Sequence, residues 1–253
     1  MKKDFIIHTP QEIQKIRKAA AMTAEAREKI ASEICAGMTT AELDAIANSI
    51  IRSMGGIPAF HNYYGYPGYI CISLNDEVVH GIGRKDVFIE EGDVVSIDVG
   101  VSFDGALGDS AKTVYVGENP PPDIARLLEA TERSLEAGIS AARCNGVVRD
   151  ISSAVEKVAK QAKLGVVRDF VGHGCGIKLH EPPDVPNFAS IRKGPKLQPG
   201  MVLCIEPMFN LGTHRVFVES DNWTVRTMDG EYSAHFEHMI LITETATEVL
   251  TRV

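Results

Sequence analysis

The chain has 253 residues, enough for one large domain or for two halves that share a sheet. Its hydrophobic content of 44% and charged content of 24% are those of a folded globular protein. The formal net charge of -8 argues against nonspecific binding to nucleic acid or to an anionic membrane, because both need a basic protein surface.

Cysteine usage and hydropathy indicate the cellular compartment. The five cysteines are odd in number and form neither a C-x-x-C pair nor a dense disulfide framework, which favours a reducing environment. No apolar run reaches the ~18 residues of a membrane span. The apolar run 5–7 near the N-terminus is too short for the core of a signal peptide. We therefore expect a cytoplasmic protein.

Two helices are predicted before any strand. The first begins at Thr9-Pro10-Gln11-Glu12, where Thr is the N-cap and Glu completes a capping box, and it continues to about Cys35. The second begins at Thr39-Thr40-Ala41-Glu42 and runs to Gly55-Gly56. Residues 57–85 then hold four of the six tyrosines, which predicts a loop lining a pocket rather than a core strand.

A β-hairpin is predicted over residues 94–116, because Asp104-Gly105 separates two β-branched, apolar runs and is typical of a type I′ turn. This turn places Asp98 opposite Ala111 and makes Asp109 its diagonal neighbour on the same face. Two carboxylates there repel each other unless one is protonated or a cation lies between them. The hairpin thus predicts half of a metal site. A one-residue bulge, which would turn one aspartate to the other face, stays open.

The second half repeats the order of helices before strands. After the boundary at 120–122, helices are predicted to about residue 142 and over 147–163. Strands are predicted at 166–171, 201–205, 215–219, 223–227 and 236–243. This order favours an α+β fold with helices against an antiparallel sheet. We expect one domain over 1–253, with halves of about 1–118 and 119–253.

Three further side chains could complete the metal site. His173 is bracketed by glycines, as in a loop that aims a ligand. Glu206 ends an apolar strand and Glu237 precedes one, so each needs a cation or a donor. An Arg or Lys partner for either glutamate stays open. With the two hairpin aspartates the set has four carboxylates and one imidazole, which two divalent cations would balance. It favours Mn, Fe or Co, and Cys204 is interpreted as a core thiol.

Six short motifs occur in a characteristic order over nearly the whole chain. They are Ile97-Asp98-Val99-Gly100, Gly108-Asp109, Gly172-His173-Gly174, His180-Glu181, Ile205-Glu206-Pro207-Met208 and Glu237-His238. In order and spacing they resemble the methionine aminopeptidases of the short type I form. The resemblance implies the pita-bread fold, with two pseudo-symmetric halves, an antiparallel curved sheet covered by helices, and the metals between the halves. It implies a metallo-exopeptidase that removes the N-terminal methionine from nascent proteins and peptides when the second residue is small.

The resemblance also implies a role for each predicted ligand. Asp98 would chelate one of two divalent ions (Co, Mn, Fe or Zn), Asp109 and Glu237 would bridge them, and His173 with Glu206 would bind the other. A hydroxide bridging the ions would attack the scissile carbonyl, with Glu206 as the proton acceptor.

Two histidines and a pocket complete the implied site. His180 would hydrogen-bond the carbonyl oxygen as charge develops, and His80 would lie near the peptide nitrogen or leaving group. The implied substrate-binding residues are Phe60, Tyr63, Tyr66, Cys71, His80, Leu179, His180 and Trp223. Phe60 and Leu179 stand where a familiar bacterial member has a cysteine and a phenylalanine. Both are apolar, so we expect methionine specificity in a pocket of altered shape.

Some expectations concern residues and partners outside this core. His235 is either a support for the ligands or a polar residue at the rim. Asn75 and Ser233 resemble positions near a structural monovalent-cation loop in some relatives. The expected partners are nascent polypeptide N-termini, at the ribosome, with no direct nucleic-acid or membrane binding, and the expected state is a monomer.

Two alternative functions stay open. One is a proline-directed aminopeptidase or dipeptidase of the same superfamily, and the other is a non-catalytic pita-bread binding protein. Proline-directed relatives usually carry a domain before the helices, and non-catalytic ones lose metal ligands. The presence of all five ligand residues and both histidines favours the aminopeptidase.

Overall fold

The computed structural model describes residues 4–253. Its four α-helices are α1 (Pro10–Glu33), α2 (Thr40–Ser53), α3 (Pro122–Ala141) and α4 (Val148–Ala162). The predicted capping boxes of α1 and α2 are confirmed. In α1 the Thr9 N–H donates to the Glu12 carboxylate at 2.8 Å, and the Thr9 hydroxyl accepts from the Glu12 N–H at 3.3 Å. Local sequence alone therefore accounts for where these helices begin.

Fifteen strands complete the fold over residues 4–253. In the first half these are β1 (Ile57–Pro58), β2 (Cys71–Leu74), β3 (Glu77–Val79), β4 (Val94–Phe103) and β5 (Ala106–Tyr115). In the second half they are β6 (Gly165–Val166), β7 (Gly172–Gly174), β8 (Glu181–Val185), β9 (Val202–Ile205), β10 (Met208–Asn210), β11 (Val216–Val218), β12 (Val225–Thr227), β13 (Ser233–His235), β14 (His238–Ile242) and β15 (Thr247–Val249).

The strands form antiparallel sheets around two long hairpin strands. β4 pairs with β5 along one edge and with β1 and β2 along the other. The second half contributes the five-stranded order β15-β14-β9-β7-β8 and the three-stranded order β13-β10-β6. The order β11-β12-β3 joins the halves, because β3 belongs to the first and β12 to the second.

Separate clusters of buried side chains hold the helices against these sheets. In the first half, α2 residues such as Leu43 and Ile51 pack with Ile97 and Val99 of β4. In the second half, α3 and α4 pack against β9, β10 and β14 through another cluster. The predicted α+β class with helices covering antiparallel sheets is confirmed.

Parts of the predicted element list are wrong. The strand expected at 166–171 is only β6, and the next strand is β7, so His173 lies in a strand rather than in a loop. Residues 71–74 of the expected loop form the buried strand β2, because its apolar residues pair with β4. Within residues 4–253, the chain contains no helix whose length and apolar character would let it cross a membrane.

Candidate metal centre and its pocket

Asp98 and Asp109 lie on adjacent strands and line one cavity of about 260 Å³. The register pairs Asp98 with Ala111 and Asp109 with Gly100, as predicted, so the two aspartates are diagonal neighbours. The ten pairs of β4 and β5 run without a register shift, so the bulge alternative is wrong. An uninterrupted pleat is what keeps both carboxylates on the same face.

His173 on β7 faces the hairpin with its Nε2 atom. That atom lies 3.8 Å from Asp109 Oδ2 and 3.4 Å from Glu206 Oε1. The Nδ1 atom lies 2.9 Å from the Gly174 carbonyl oxygen, which can only accept, so Nδ1 carries the ring proton. Burial, and then the nearby His180, lower the pKa of His173 to about 3. The ring is therefore neutral at pH 7, with the Nε2 lone pair free for a metal ion.

Glu206 and Glu237 come from the second half of the chain. Glu206 directly follows β9, and its carbonyl oxygen accepts from Asn187 Nδ2 at 2.9 Å. Glu237 lies between β13 and β14, and its backbone is tied to the first half by hydrogen bonds to Ala111 and Ser110. Within residues 4–253, no Lys or Arg nitrogen lies within 4.0 Å of either carboxylate. The alternative of an Arg or Lys partner is therefore wrong.

The carboxylates of this cluster are incompletely hydrogen-bonded. One buried oxygen of each of Asp98, Asp109, Glu206 and Glu237 has no partner in the described residues. Burial, followed by the charge of Glu237, raises the pKa of the other three well above the ordinary range. Burial raises the pKa of Glu237 itself to about 7. Four unsatisfied acceptors around a neutral imidazole fit divalent cations, which supply the missing positive charge.

Cys204 also lies near this cluster. Its Sγ atom and ligand atoms of Asp109, His173 and Glu237 all lie within 4.8 Å of one another. However, the thiol is fully buried in an apolar cluster, and burial raises its pKa well above the ordinary value. A protonated thiol is a poor metal ligand. The interpretation of Cys204 as a core thiol is the one that agrees with this packing.

Comparison with known proteins decides the family. The sequence profile of metallopeptidase family M24 matches residues 14–244. The chain belongs to this family.

Relatives within the M24 family match nearly the whole chain. The methionine aminopeptidase 1 of Bacillus subtilis is 46% identical over 98% of this chain and 100% of its own length. The methionine aminopeptidase of Clostridium perfringens is 42% identical over 98% of each chain. The structure of the Thermotoga maritima methionine aminopeptidase has a TM-score of 0.95 and 39% identity, and covers 98% of this chain and 100% of that chain. The Pyrococcus furiosus prolidase, at 24% identity and a TM-score of 0.78, shares the fold. The predicted pita-bread fold is confirmed.

The cavity has an apolar pocket beside the carboxylates. Phe60, Tyr66, Cys71 and Leu179 are each less than 8% exposed and pack together, with Trp223 against them. All of the residues predicted to bind substrate line the same cavity as the five predicted ligands.

Hydrogen bonds and ring contacts hold the polar side chains of the pocket. The Tyr66 hydroxyl donates to the Gly81 carbonyl at 2.7 Å, next to His80. His80 packs edge-on against Phe170 at 5.4 Å, and burial followed by the nearby His180 lowers its pKa to about 4. His180 Nδ1 lies 2.9 Å from the Tyr63 hydroxyl, and burial lowers the pKa of this histidine.

His235 is a buried neighbour of the carboxylates and not a residue of the rim. It is 2% exposed, and its Nε2 atom lies 3.8 Å from Glu206 Oε2. Burial, and then His80, lower its pKa to about 3, so the ring is neutral. The rim interpretation is wrong because all three residues of β13 are buried, which the alternation of side chains along a strand does not predict.

Several cavity residues were missed by sequence reasoning. They are Tyr64, Val79, Phe170, Val171 and Met208. Met208 is two residues beyond Glu206, so the two-residue period was an available signal. Phe170 and Val171 directly precede the Gly172-His173-Gly174 motif, and this position next to a predicted ligand was a second available signal.

Proposed function

We propose that this chain is a metal-dependent aminopeptidase that removes the N-terminal methionine from nascent proteins and peptides when the second residue is small. The observation that carries the proposal is the convergence of unsatisfied carboxylate oxygens and a neutral histidine in one cavity that has a wall of buried apolar side chains. Its relatives of 40–46% identity named methionine aminopeptidase support the same reaction.

The proposed ligands are the five side chains predicted from the sequence. Asp98, Asp109, His173, Glu206 and Glu237 would together hold two divalent ions. Two ions rather than one are favoured because a single divalent charge leaves four neighbouring carboxylates under-neutralised. Co, Mn, Fe or Zn suit the donor set. When bound, such ions lower the pKa of a water and polarise a carbonyl.

His180 is proposed to stabilise charge on the carbonyl oxygen. Burial raises the pKa of the Tyr63 hydroxyl, so it keeps its proton and can donate to His180 Nδ1. The neutral ring then carries its own proton on Nε2. An N–H in this position can donate to an oxygen that becomes negative in the transition state.

Glu206 is proposed to accept a proton, and His80 is proposed to lie at the peptide nitrogen. The carboxylate of Glu206 has an acceptor atom free of hydrogen-bond partners and can take a proton from the attacking water. The neutral His80, beside Phe170 in the same cavity, would lie at the peptide nitrogen. The free α-amine of the substrate would occupy the metal end of the cavity, which limits cleavage to one residue.

The apolar pocket is proposed to select methionine. The side chain of methionine is unbranched. It would be surrounded, with water excluded, by Phe60, Tyr66, Cys71, Leu179 and Trp223.

The chain would form a single domain of two pseudo-symmetric halves that meet near residue 118. It would act as a monomer in the cytoplasm, on nascent chains at the ribosome. A monovalent cation near Asn75 and Ser233 would be structural. The Ser233 N–H donates to the Asn75 carbonyl at 2.8 Å.

A peptide panel tests the proposed substrate. Chelator-treated protein is assayed on Met-Gly, Met-Ala, Met-Lys and Ala-Pro peptides, before and after addition of Mn, Fe, Co or Zn. We expect turnover only with metal, only after methionine, and only before a small residue. Preference for Ala-Pro would instead support the proline-directed alternative, and binding without turnover would support the non-catalytic one.

A further inference from the structure

A buried histidine–glutamate pair lies outside the proposed ligand set. His8, in the segment before α1, is 4% exposed, and Glu181, the first residue of β8, is 5% exposed. The His8 Nε2 and Glu181 Oε2 atoms are 3.1 Å apart. The ring N–H does not point along that line, so the contact is close without being an in-line hydrogen bond. Burying two such groups costs their hydration, which calls for a compensating role.

The Glu181 carboxylate organises the loop that precedes it, Gly176–His180. Its Oε1 atom accepts from the N–H groups of Ile177 at 3.0 Å and Lys178 at 2.7 Å. Burial raises the pKa of Glu181, but the contact with His8 and these backbone donors outweigh burial and hold the pKa below its ordinary value. The carboxylate is therefore ionised at neutral pH, which strengthens both hydrogen bonds.

The start of the loop is fitted closely to His8. Gly176 has φ +151°, and a Cβ atom there would lie 2.9 Å from His8 Nε2 and 2.7 Å from Ile16 Cδ1. The Gly176 carbonyl accepts from the Leu107 N–H at 2.8 Å, two residues before Asp109 on β5. The loop is therefore held by His8, by Glu181, which directly follows it, and by β5, the strand that carries Asp109.

The end of the loop carries the side chains that face the pocket. Leu179 is 4% exposed and packs with Phe60 and Cys71. His180 follows, with its ring centroid 4.3 Å from that of His173. Movement of the loop backbone therefore displaces His180, the histidine proposed to hydrogen-bond the carbonyl oxygen.

We propose that His8 and Glu181 are positioning residues that hold the loop Gly176–His180 so that His180 meets the scissile carbonyl. This inference rests on the proposed function, in which His180 stabilises the developing charge. His8 acts only through Glu181 and the loop.

A double-mutant cycle tests the inference. We expect His8→Ala to lower kcat on a Met-Gly peptide roughly 10- to 100-fold, because a misplacement of about 1 Å costs on that order, while KM changes little. In a His180→Ala background the same substitution should leave kcat unchanged within about twofold, since residues that act as a unit are not additive. An equal fall in both backgrounds, or none in either, would overturn the inference.

Hydrogen exchange provides a readout that is independent of activity. In metal-free protein, His8→Ala should speed exchange of the Ile177 and Lys178 amides, and unchanged exchange at both would contradict the proposal. The matched control is Arg17→Ala, which removes the exposed Arg17–Glu248 pair from the helix that follows His8, α1, and should leave both amides unaffected. If His8→Ala does not fold, His8→Gln keeps most of the volume and should shift kcat and exchange in the same direction. Wild-type protein without turnover would refute the proposed function, while the exchange data would still decide whether the pair holds the loop.

Discussion

Replacing Glu237 by glutamine is expected to stabilise the metal-free protein, and more so at high pH. Glu237 is 2% exposed, and burial raises its pKa to about 7 from an ordinary value of 4.5. A carboxyl whose pKa is raised in the folded state is destabilising once ionised, and this cost develops as pH rises from 4.5 through 7. Glutamine has the same shape and cannot ionise, so the variant avoids the cost.

The magnitude follows from the shift in pKa. A rise of about 2.5 units at 1.36 kcal/mol per unit predicts about 3 kcal/mol in favour of the variant at pH 8. At pH 5 wild-type Glu237 is protonated in the folded state, so the difference falls to about 1 kcal/mol. The buried histidines titrate in both proteins and cancel in this comparison.

Urea unfolding of the chelator-treated proteins at pH 5 and pH 8 measures this difference. A matched control is Glu25→Gln on α1, whose exposed pair with Lys29 predicts a change below about 0.5 kcal/mol at either pH. Saturating Mn should reverse the order, because wild type gains the binding energy of the ions and the variant has lost a ligand. A metal-free variant that is less stable than wild type at pH 8 would refute the reasoning.

Five other substitutions test the ligands, the histidines and the pocket. Asp98→Ala should reduce bound metal below one ion per chain, measured by elemental analysis, with the fold retained by circular dichroism; unchanged stoichiometry would remove it from the ligand set. His80→Ala and His180→Ala should each lower kcat on a Met-peptide by about 10²-fold or more, with little change in KM, and an unaltered kcat would exclude a role in catalysis. Gly100→Ala places a Cβ 2.4 Å from Phe60 Cε1, so the Phe60 ring must shift and KM for Met-Gly should rise about tenfold. Adding Phe60→Leu to Gly100→Ala should restore the KM. An unchanged KM in Gly100→Ala would show that the Phe60 side of the pocket does not contact methionine.

Much of the local structure could be predicted because neighbouring residues encode it. Asp104-Gly105 determines a type I′ turn, and the observed φ values of 50° and 75° are those of such a turn. The turn then sets the pairing of β4 and β5 and so the common face of Asp98 and Asp109. The ordered motifs likewise led to the correct family, since each ligand is followed or preceded by a recognisable local pattern.

The sequence by itself thus determined the helix starts, the hairpin register and most, but not all, of the side chains that line the cavity. Only the tertiary structure decided that His173 lies in a strand, that His235 is buried at the carboxylates, and that His8 meets Glu181. The physical reason is range. Turns and caps depend on hydrogen bonds between residues a few positions apart, whereas these contacts depend on strands from distant parts of the chain that pair and pack together. The two-residue period of side chains along a strand does not show which face of that strand is buried.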